Sequence, residues 1–386
     1  MKKIKLAHVV NNAMGRGGVS TVAYHLLKRL SDERYERYLY SLKFDESDSV
    51  ALDGRINRFE EIGIKASFAS QDIKKPFDVG RLAQWLLDHQ IDILHTHSYR
   101  PNIIGRLAGV LCGKMKIVGH YHNYYDNKWE KDDSLIFDQL LAPFSDQLIA
   151  CSESVQKHIS ERVGVPPEKI EVVLNGVDLD RFMPCDDPIS LKREMGLPLD
   201  CKVIGMVGRI SEQKGQDDFI KAAHLIKKAI PNTIFLIVGQ TGDDSLITGL
   251  TELAAAHGID KDVIFTGHLP DVHRVYSVLD ILVVPSRWEG LALVWVEGMA
   301  SGKPIVATNV GAILEVVVQN ETALLVPPSM PSSIASGVIR LLKNPEEART
   351  MGEKGRERAE MFSWDRAAMQ LDNLYKKLTE ESRICP

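Results

Sequence analysis

The chain has 386 residues, enough for two domains or one large one. A formal charge of −5 and an ordinary apolar fraction of 44% leave no polybasic signature for nucleic acid, and no apolar run is long enough to span a bilayer. Five scattered cysteines without a C-x-x-C pair speak against a disulfide framework or zinc knuckle and fit a reduced, cytoplasmic protein.

The start, M-K-K-I-K-L-A-H-V-V, places basic residues before an apolar run. That run is too short for a secretory signal and leads into polar Asn11-Asn12, so it reads as the first strand. Short apolar runs then alternate with longer amphipathic ones, the pattern of βαβ units. Strands are expected at 5–10, 38–42, 93–97, 117–122, 147–151 and 170–173, then at 203–207, 233–238, 263–266, 281–284, 304–307 and 323–326. The pattern restarts near residue 201, after the polar, proline-containing stretch 182–188. Two α/β domains with doubly wound, Rossmann-like sheets are therefore expected, over 1–184 and 185–363. In the closing segment, Trp364, Ala368, Leu371, Tyr375 and Leu378 share one apolar helix face, which needs a surface to pack on.

Four places along the chain can carry chemistry. The first strand ends in Gly15-Arg16-Gly17-Gly18, followed by a helix face of Val22, Leu26, Leu27 and Leu30. This strand–glycine loop–helix unit can bring backbone close to a ligand, or can be an ordinary tight turn. It lacks the G-x-G-x-x-G dinucleotide fingerprint, because Ser20 stands where the third glycine would be. Two His-x-His pairs, His95/His97 and His120/His122, end two parallel strands. Residues two apart share a strand face, so the pairs can meet. Four histidines invite a zinc reading, but no carboxylate pattern or H-E-x-x-H completes a hydrolytic site. Packing or cleft lining is the plain alternative for His95, His97 and His120, and is preferred for His95. Arg209 and Lys214 lie in Gly205-Met-Val-Gly208-Arg209-Ile-Ser-Glu-Gln-Lys214-Gly215.

The most telling stretch is 285–308, P-S-R-W-E-G-L-A-L-V-W-V-E-G-M-A-S-G-K-P-I-V-A-T. The apolar run 281–284 is a buried strand stopped by Pro285, and a short helix follows, stopped by Gly302 and Pro304. Glu289 falls on the loop and Glu297 near the first helical turn, both at the carboxyl end of a parallel strand, where α/β sheets bind ligands. The N–H groups of a helix start can hold a phosphate, and a carboxylate can accept from neighbouring sugar hydroxyls. Two carboxylates beside an anion site fit a sugar nucleotide better than bare phosphate. The bland alternative is a pair of solvated carboxylates, since Glu is favourable at any helix start.

This stretch resembles the E-x7-E segment of family 4 (group 1) retaining glycosyltransferases, which have the GT-B fold. The preceding P-S and following M-A-S-G-K-P-I-V-A-T make the likeness specific. The family's Gly-Phe-Gly or Gly-hydrophobic-Pro after the first Glu is here Gly290-Leu291-Ala292. The segment 205–215 resembles the family's G-R-x-x-x-x-K-G, Phe265-Thr-Gly267-His268-Leu269 resembles its loop facing the nucleotide base, and Leu174-Asn175-Gly176-Val177-Asp178 resembles the turn before its interdomain linker. Ile117-Val-Gly-His-Tyr-His122 is similar to its V-x-T-x-H, with His120 in place of Thr. A Glu often follows the family's Gly-Gly loop; Val19-Ser20 stand there instead.

The resemblance implies two Rossmann-like domains facing a cleft, with the segment 364–386 crossing back to the first. It implies transfer of a UDP-linked sugar to an acceptor hydroxyl with retention, using no metal and no cofactor beyond the nucleotide-sugar co-substrate. The implied donor site comprises Gly17, Gly18, Arg209, Lys214, His268, Leu269, Glu289, Gly290, Leu291, Ala292, Leu293 and Glu297. Within it Arg209 and Lys214 hold the diphosphate, Glu297 the ribose and Glu289 the sugar hydroxyls, while His122 lies near the donor sugar. His122, Arg209, Lys214 and Glu289 are the expected catalytic group, and His97, His120, Tyr124 and Asp126 the acceptor side. The acceptor is expected to be a small molecule or a glycan; the aromatic, acidic stretch 123–133 fits a soluble cationic aminosugar or aminocyclitol, or is simply a solvated loop. Peripheral membrane contact stays open. An epimerase or hydrolase of nucleotide sugars on the same fold, and a non-catalytic sugar-nucleotide binder, are the rival readings. Release of nucleoside diphosphate only in the presence of an acceptor separates a transferase from both.

Overall fold

The computed structural model describes residues 2–13, 17–43, 59–69, 79–124, 133–185 and 187–384. They form two compact units: Met1–Gly176 with Trp364–Pro386, and Val177–Ser363. The division falls after Gly176, before the 182–188 stretch where composition placed it. Val177 is already tied to the second unit: its N–H donates to Phe362 O at 2.9 Å, and it bridges Ser363 in parallel.

The first unit holds a seven-stranded parallel sheet of Ile4–Val10 (β1), Tyr35–Ser41 (β2), Ile64–Phe68 (β3), Ile93–His97 (β4), Lys116–Tyr121 (β5), Gln147–Ala150 (β6) and Ile170–Val172 (β7). Its order is β3-β2-β1-β4-β5-β6-β7. The second unit holds a six-stranded parallel sheet of Lys202–Val207 (β8), Thr233–Val238 (β9), Val263–Gly267 (β10), Ile281–Val284 (β11), Ile305–Thr308 (β12) and Leu324–Val326 (β13), in the order β10-β9-β8-β11-β12-β13. Each order reverses direction beside its first strand, the doubly wound arrangement in which ligands bind outside the carboxyl ends of the strands. Strand β3 was not expected. Its I-K-A-S-F alternates Ile64, Ala66 and Phe68 with Lys65 and Ser67, as suits a half-buried edge strand with one neighbour.

Central strands are apolar on both faces because helices cover both. In the first unit Val9, Tyr38, Leu94, Leu82 and Ile104 share one core; in the second, Ile204, Phe235, Val283, Val306, Phe219 and Val338 do. The terminal helix Trp364–Ile384 packs on the first unit. Trp364 stacks on His25 with ring centroids 5.1 Å apart, and Asp372 accepts from Arg34 Nη1 and Tyr35 Oη, each at 2.8 Å. No helix among the described residues is long and apolar enough to cross a membrane.

One buried ion pair braces the first unit. Arg106, on the helix Tyr99–Cys112, pairs with Asp138, which also accepts from Tyr121 Oη at 2.9 Å. Both charged side chains are essentially inaccessible. Asp138→Ala strands the guanidinium, so a loss of about 3–5 kcal/mol is expected in denaturant unfolding. A change below about 1 kcal/mol contradicts a buried, obligatory pair.

Candidate active site

Arg209, Lys214, Glu289 and Glu297 all belong to the second unit. The loop after β8 brings Arg209 and Lys214 to the carboxyl end of the sheet, and the loop after β11 brings Glu289. Glycines make that convergence possible. A Cβ on Gly239 (φ +144°) would lie 1.9 Å from Gly208 O, and one on Gly311 (φ +60°) 1.9 Å from Glu289 O. Both are backbone contacts with no flexible side chain to yield, so no larger residue fits without moving the loops. Ala312 N–H also donates to Gly290 O at 3.1 Å.

Glu289 is 5% exposed and pairs with Lys214 Nζ. Its carboxylate further accepts from Ser286 Oγ at 2.7 Å and Gln213 Nε2 at 3.4 Å. The two are not solvated surface groups, and the lysine expected on the diphosphate contacts the carboxylate expected on the sugar. Ser286 is held in turn by Thr308, whose hydroxyl donates to its carbonyl. Gln213 was missed by sequence reasoning; it also donates to Trp288 O at 2.9 Å and accepts from Arg209 Nη2 at 3.4 Å. Arg209 is exposed, and its own carbonyl accepts from Gln216 Nε2 at 3.0 Å.

Glu297 sits in the middle of the helix Leu293–Ala300, a turn further along than expected. It accepts from Tyr276 Oη at 2.6 Å, a partner no motif signalled. Burial raises its pKa, and the bond from Tyr276 and the charges of Arg181 and Lys214 oppose that rise. The sign follows. A raised carboxyl costs stability above its pKa, and the cost disappears as pH falls through it. Glu297→Gln is therefore expected to raise the melting temperature near neutral pH by a few degrees; a lower one means the charge is needed for folding. Ala292 precedes this helix, and no side chain caps its start. Gly290, Leu291 and Ala292 are buried, and Leu293 half-buried. His268 and Leu269 follow β10 and are half-buried.

The remaining candidates lie in the first unit. Gly17 and Gly18 are exposed and open the helix Gly18–Arg29; Gly17 has φ −95°, so the position does not demand glycine. Gly15, Arg16 and Asp126 lie outside the described residues. Tyr124 bonds through its hydroxyl to Ser154 and meets His158 edge-on at 4.9 Å.

The His-x-His pairs do meet. His95 Nε2 lies 3.2 Å from His120 Nδ1, and His97 Nδ1 lies 2.9 Å from His122 Nε2. Register explains this: His97 stands opposite His120 on β5, and His95 opposite His8 on β1. His8 therefore joins the cluster, a fifth histidine that reads in sequence as one core residue in an apolar strand. Tyr375 of the terminal helix closes it, its hydroxyl 3.1 Å from His8 Nε2 and bonded to His95 Nδ1. Burial, then the neighbouring rings, pushes His95, His97 and His120 well below the ordinary imidazole range and His8 to about 3; burial alone takes His122 to about 3. Ser98, directly after His97, holds φ +66° and ψ 178°, a conformation almost reserved for glycine, while its N–H donates to His120 O at 2.8 Å. His8/His95/His97 and His97/His120/His122 each place three ring nitrogens within 4.8 Å of one another. Their present bonds run from ring to ring or to the Tyr375 hydroxyl, and no carboxylate is in either group to offset a buried divalent charge.

Residues 189–358 match the family described as Glycosyl transferases group 1, and residues 16–181 match Glycosyltransferase Family 4. A D-inositol 3-phosphate glycosyltransferase of Corynebacterium aurimucosum is 30% identical over 299 residues, 74% of this chain and 71% of the relative. The chain belongs to the family 4, group 1 glycosyltransferases. An Escherichia coli UDP-Gal:alpha-D-GlcNAc-diphosphoundecaprenol alpha-1,3-galactosyltransferase is 29% identical to this glycosyltransferase, over 80% of each chain. The crystal structure of Anabaena HepE with UDP and glucose superposes with a TM-score of 0.84 at 20% identity, covering 97% of this chain and 99% of HepE. At that identity the likeness shows the fold, and the fold is GT-B.

Proposed function

We propose that this glycosyltransferase moves a hexose from a UDP-sugar to a hydroxyl of a small-molecule or glycan acceptor, with retention and without a metal ion. The observation that carries the donor half is the convergence of Arg209, Lys214, Glu289 and the uncapped start of the helix Leu293–Ala300 at one end of the second sheet. The E. coli relative is named for a UDP-galactose donor, and the HepE structure holds UDP and glucose. Retention rests on the family alone.

In this reading Arg209 and the helix start take the diphosphate, to which guanidinium and backbone N–H groups are suited. Lys214, already at Glu289, stands between the two and links phosphate to sugar. As the glycosidic bond lengthens, negative charge grows on the leaving phosphate, and preorganised cations there lower the barrier. Glu297, oriented by Tyr276, takes the ribose hydroxyls. Glu289, oriented by Ser286 and Gln213, takes sugar hydroxyls. His268 and Leu269 line the base; Gly17, Gly18 and His122, in the first unit, are the residues that the family resemblance adds to the donor site. With two cations on the leaving group, the reading assigns neutralisation of the diphosphate to Arg209 and Lys214 and expects no metal.

Thermal unfolding with a panel of nucleotide sugars in EDTA tests it. A UDP-sugar is expected to stabilise the protein, and UDP release is expected to require an acceptor. Stabilisation only after a divalent ion is restored rejects the metal-free claim, and acceptor-independent UDP release rejects the transferase reading.

A further inference from the structure

The histidine cluster of the first unit forms a single unbranched chain of hydrogen bonds. His122 Nε2 meets His97 Nδ1 at 2.9 Å, and His97 Nε2 meets His8 Nδ1 at 2.9 Å. His8 Nε2 meets Tyr375 Oη at 3.1 Å, that hydroxyl meets His95 Nδ1, and His95 Nε2 meets His120 Nδ1 at 3.2 Å. Each ring inside the chain uses both nitrogens. Two nitrogens remain, His122 Nδ1 and His120 Nε2, both buried and without a partner among the described residues. They sit on neighbouring rings whose centroids are 4.0 Å apart, so the chain nearly closes on itself.

A neutral imidazole carries one N–H and one lone pair. Each bond in the chain needs one donor and one acceptor, so within each half the hydrogen on one ring sets the others, and Tyr375 couples the halves by donating its single O–H to one side and accepting from the other. Were its oxygen to accept from both His8 and His95, its buried O–H would be stranded, so only two arrangements satisfy every bond and also place that O–H. In one, all five histidines are protonated on Nε2, Tyr375 donates to His95, His120 Nε2–H is the open donor and His122 Nδ1 the open acceptor. In the other, all five are protonated on Nδ1, Tyr375 donates to His8, and the open ends exchange roles. The two ends therefore always present one donor and one acceptor.

We propose that His8, His95, His97, His120, His122 and Tyr375 form one tautomer-coupled relay whose open ends, His122 Nδ1 and His120 Nε2, receive a neutral hydroxyl group of a polyol. A hydroxyl donates once and accepts, so it fits either arrangement. An ammonium needs acceptors at both ends and an anion without an O–H needs donors at both; each requires the relay to lose or gain a proton inside the core. Switching creates no charge. The ligand hydroxyl gives its proton to His122 Nδ1, each group passes its own proton to the next, and His120 Nε2–H returns one to the same oxygen. The terminal helix is part of the device, because Tyr375 joins the half containing His8 to the half containing His95. The ligand class rests on the reading of the first unit as the acceptor side; the relay does not.

The test uses the full chain labelled with 15N-histidine, whose ring shifts separate the two neutral tautomers and the doubly protonated ring. At pH 7.5 the five cluster histidines are expected to share one tautomer, or to exchange between the two shared sets as a unit. The probe myo-inositol is expected to shift His120 and His122 together, whereas sulfate, which carries no O–H at this pH, is expected to leave both in place. Tyr375→Phe is expected to uncouple His95 and His120 from His8, His97 and His122. A mixed set of tautomers in the unsubstituted protein, or a doubly protonated ring, overturns the relay with no variant needed. Unshifted rings with saturating myo-inositol, or equal shifts with sulfate, overturn the hydroxyl site. UDP-sugar stabilisation is read on the second unit, so either conclusion can fail alone.

Discussion

Acidification from about pH 7 to pH 5 is expected to destabilise the first unit steeply. Its five clustered histidines stay neutral in the fold, held down first by burial and, for all but His122, by one another. In the unfolded chain each regains an ordinary value near 6.5. The folded value is the depressed one, so the stability they support is present above 6.5 and is lost as pH falls towards the folded values. Each histidine that protonates only on unfolding removes about 1.4 kcal/mol per pH unit, so five remove about 6–7 kcal/mol between pH 6 and pH 5. That rivals the whole stability of a typical domain, about 5–15 kcal/mol. The lowered carboxyls, Asp372 and Asp217, act only below the usual carboxylate range, and the raised Glu297 acts in the opposite sense. In the pH 5–6.5 window the five clustered rings therefore dominate, and half-buried His273 of the second unit, also lowered, adds in the same sense. Urea midpoints at pH 7.5, 6.5 and 5.5 measure it, with His8→Asn expected to remove about one proton from the slope. A midpoint that barely moves over that range contradicts burial of neutral rings.

Much of the architecture was legible from the spacing of apolar runs. The run 281–284 before Pro285 is strand β11, and the apolar face around Trp364 and Tyr375 packs where the resemblance said it would, on the first unit. What could not be read was pairing across long separations. His8 is one histidine in an apolar strand, and only parallel register with β4 makes it a partner of His95. Tyr375 lies 367 positions from His8 in sequence. Strand β3 was lost because an edge strand buries little and its apolar–polar alternation runs over only five residues. At the second unit the motifs marked Arg209, Lys214, Glu289 and Glu297, because glycine, cation and carboxylate spacing is local. They did not show that Lys214 and Glu289 bond to each other, or that Gln213, Ser286 and Tyr276 hold them. Second partners of this kind leave no periodic trace, since their only requirement is a polar atom at one point in space.

Arg209→Ala and Lys214→Ala are each expected to lower kcat by about 10²–10³-fold, the usual effect of removing one preorganised group from a charge that grows in the transition state. The two should differ in stability. Arg209 is exposed and its weak bond to Gln213 contributes little, so its removal is expected to leave the melting temperature almost unchanged. Lys214 is the cation facing the buried Glu289 carboxylate, so Lys214→Ala also leaves a charge supported only by Ser286 and Gln213. That raises a competing account: the lysine serves only to neutralise Glu289, and the stranded carboxylate repels the diphosphate. The double variant Lys214→Ala/Glu289→Gln separates the two, because Gln keeps the size of Glu and removes its charge. If Lys214 touches the diphosphate, titration calorimetry with bare UDP shows affinity as weak in the double variant as in Lys214→Ala. Glu289→Gln alone should then leave bare UDP affinity nearly intact while impairing transfer, since its assigned partner is the sugar, and Glu297→Gln should weaken UDP itself. Recovery of UDP affinity in the double variant would reassign Lys214 from the diphosphate to the positioning of Glu289, and near-normal kcat in Arg209→Ala would remove the second cation from the leaving group.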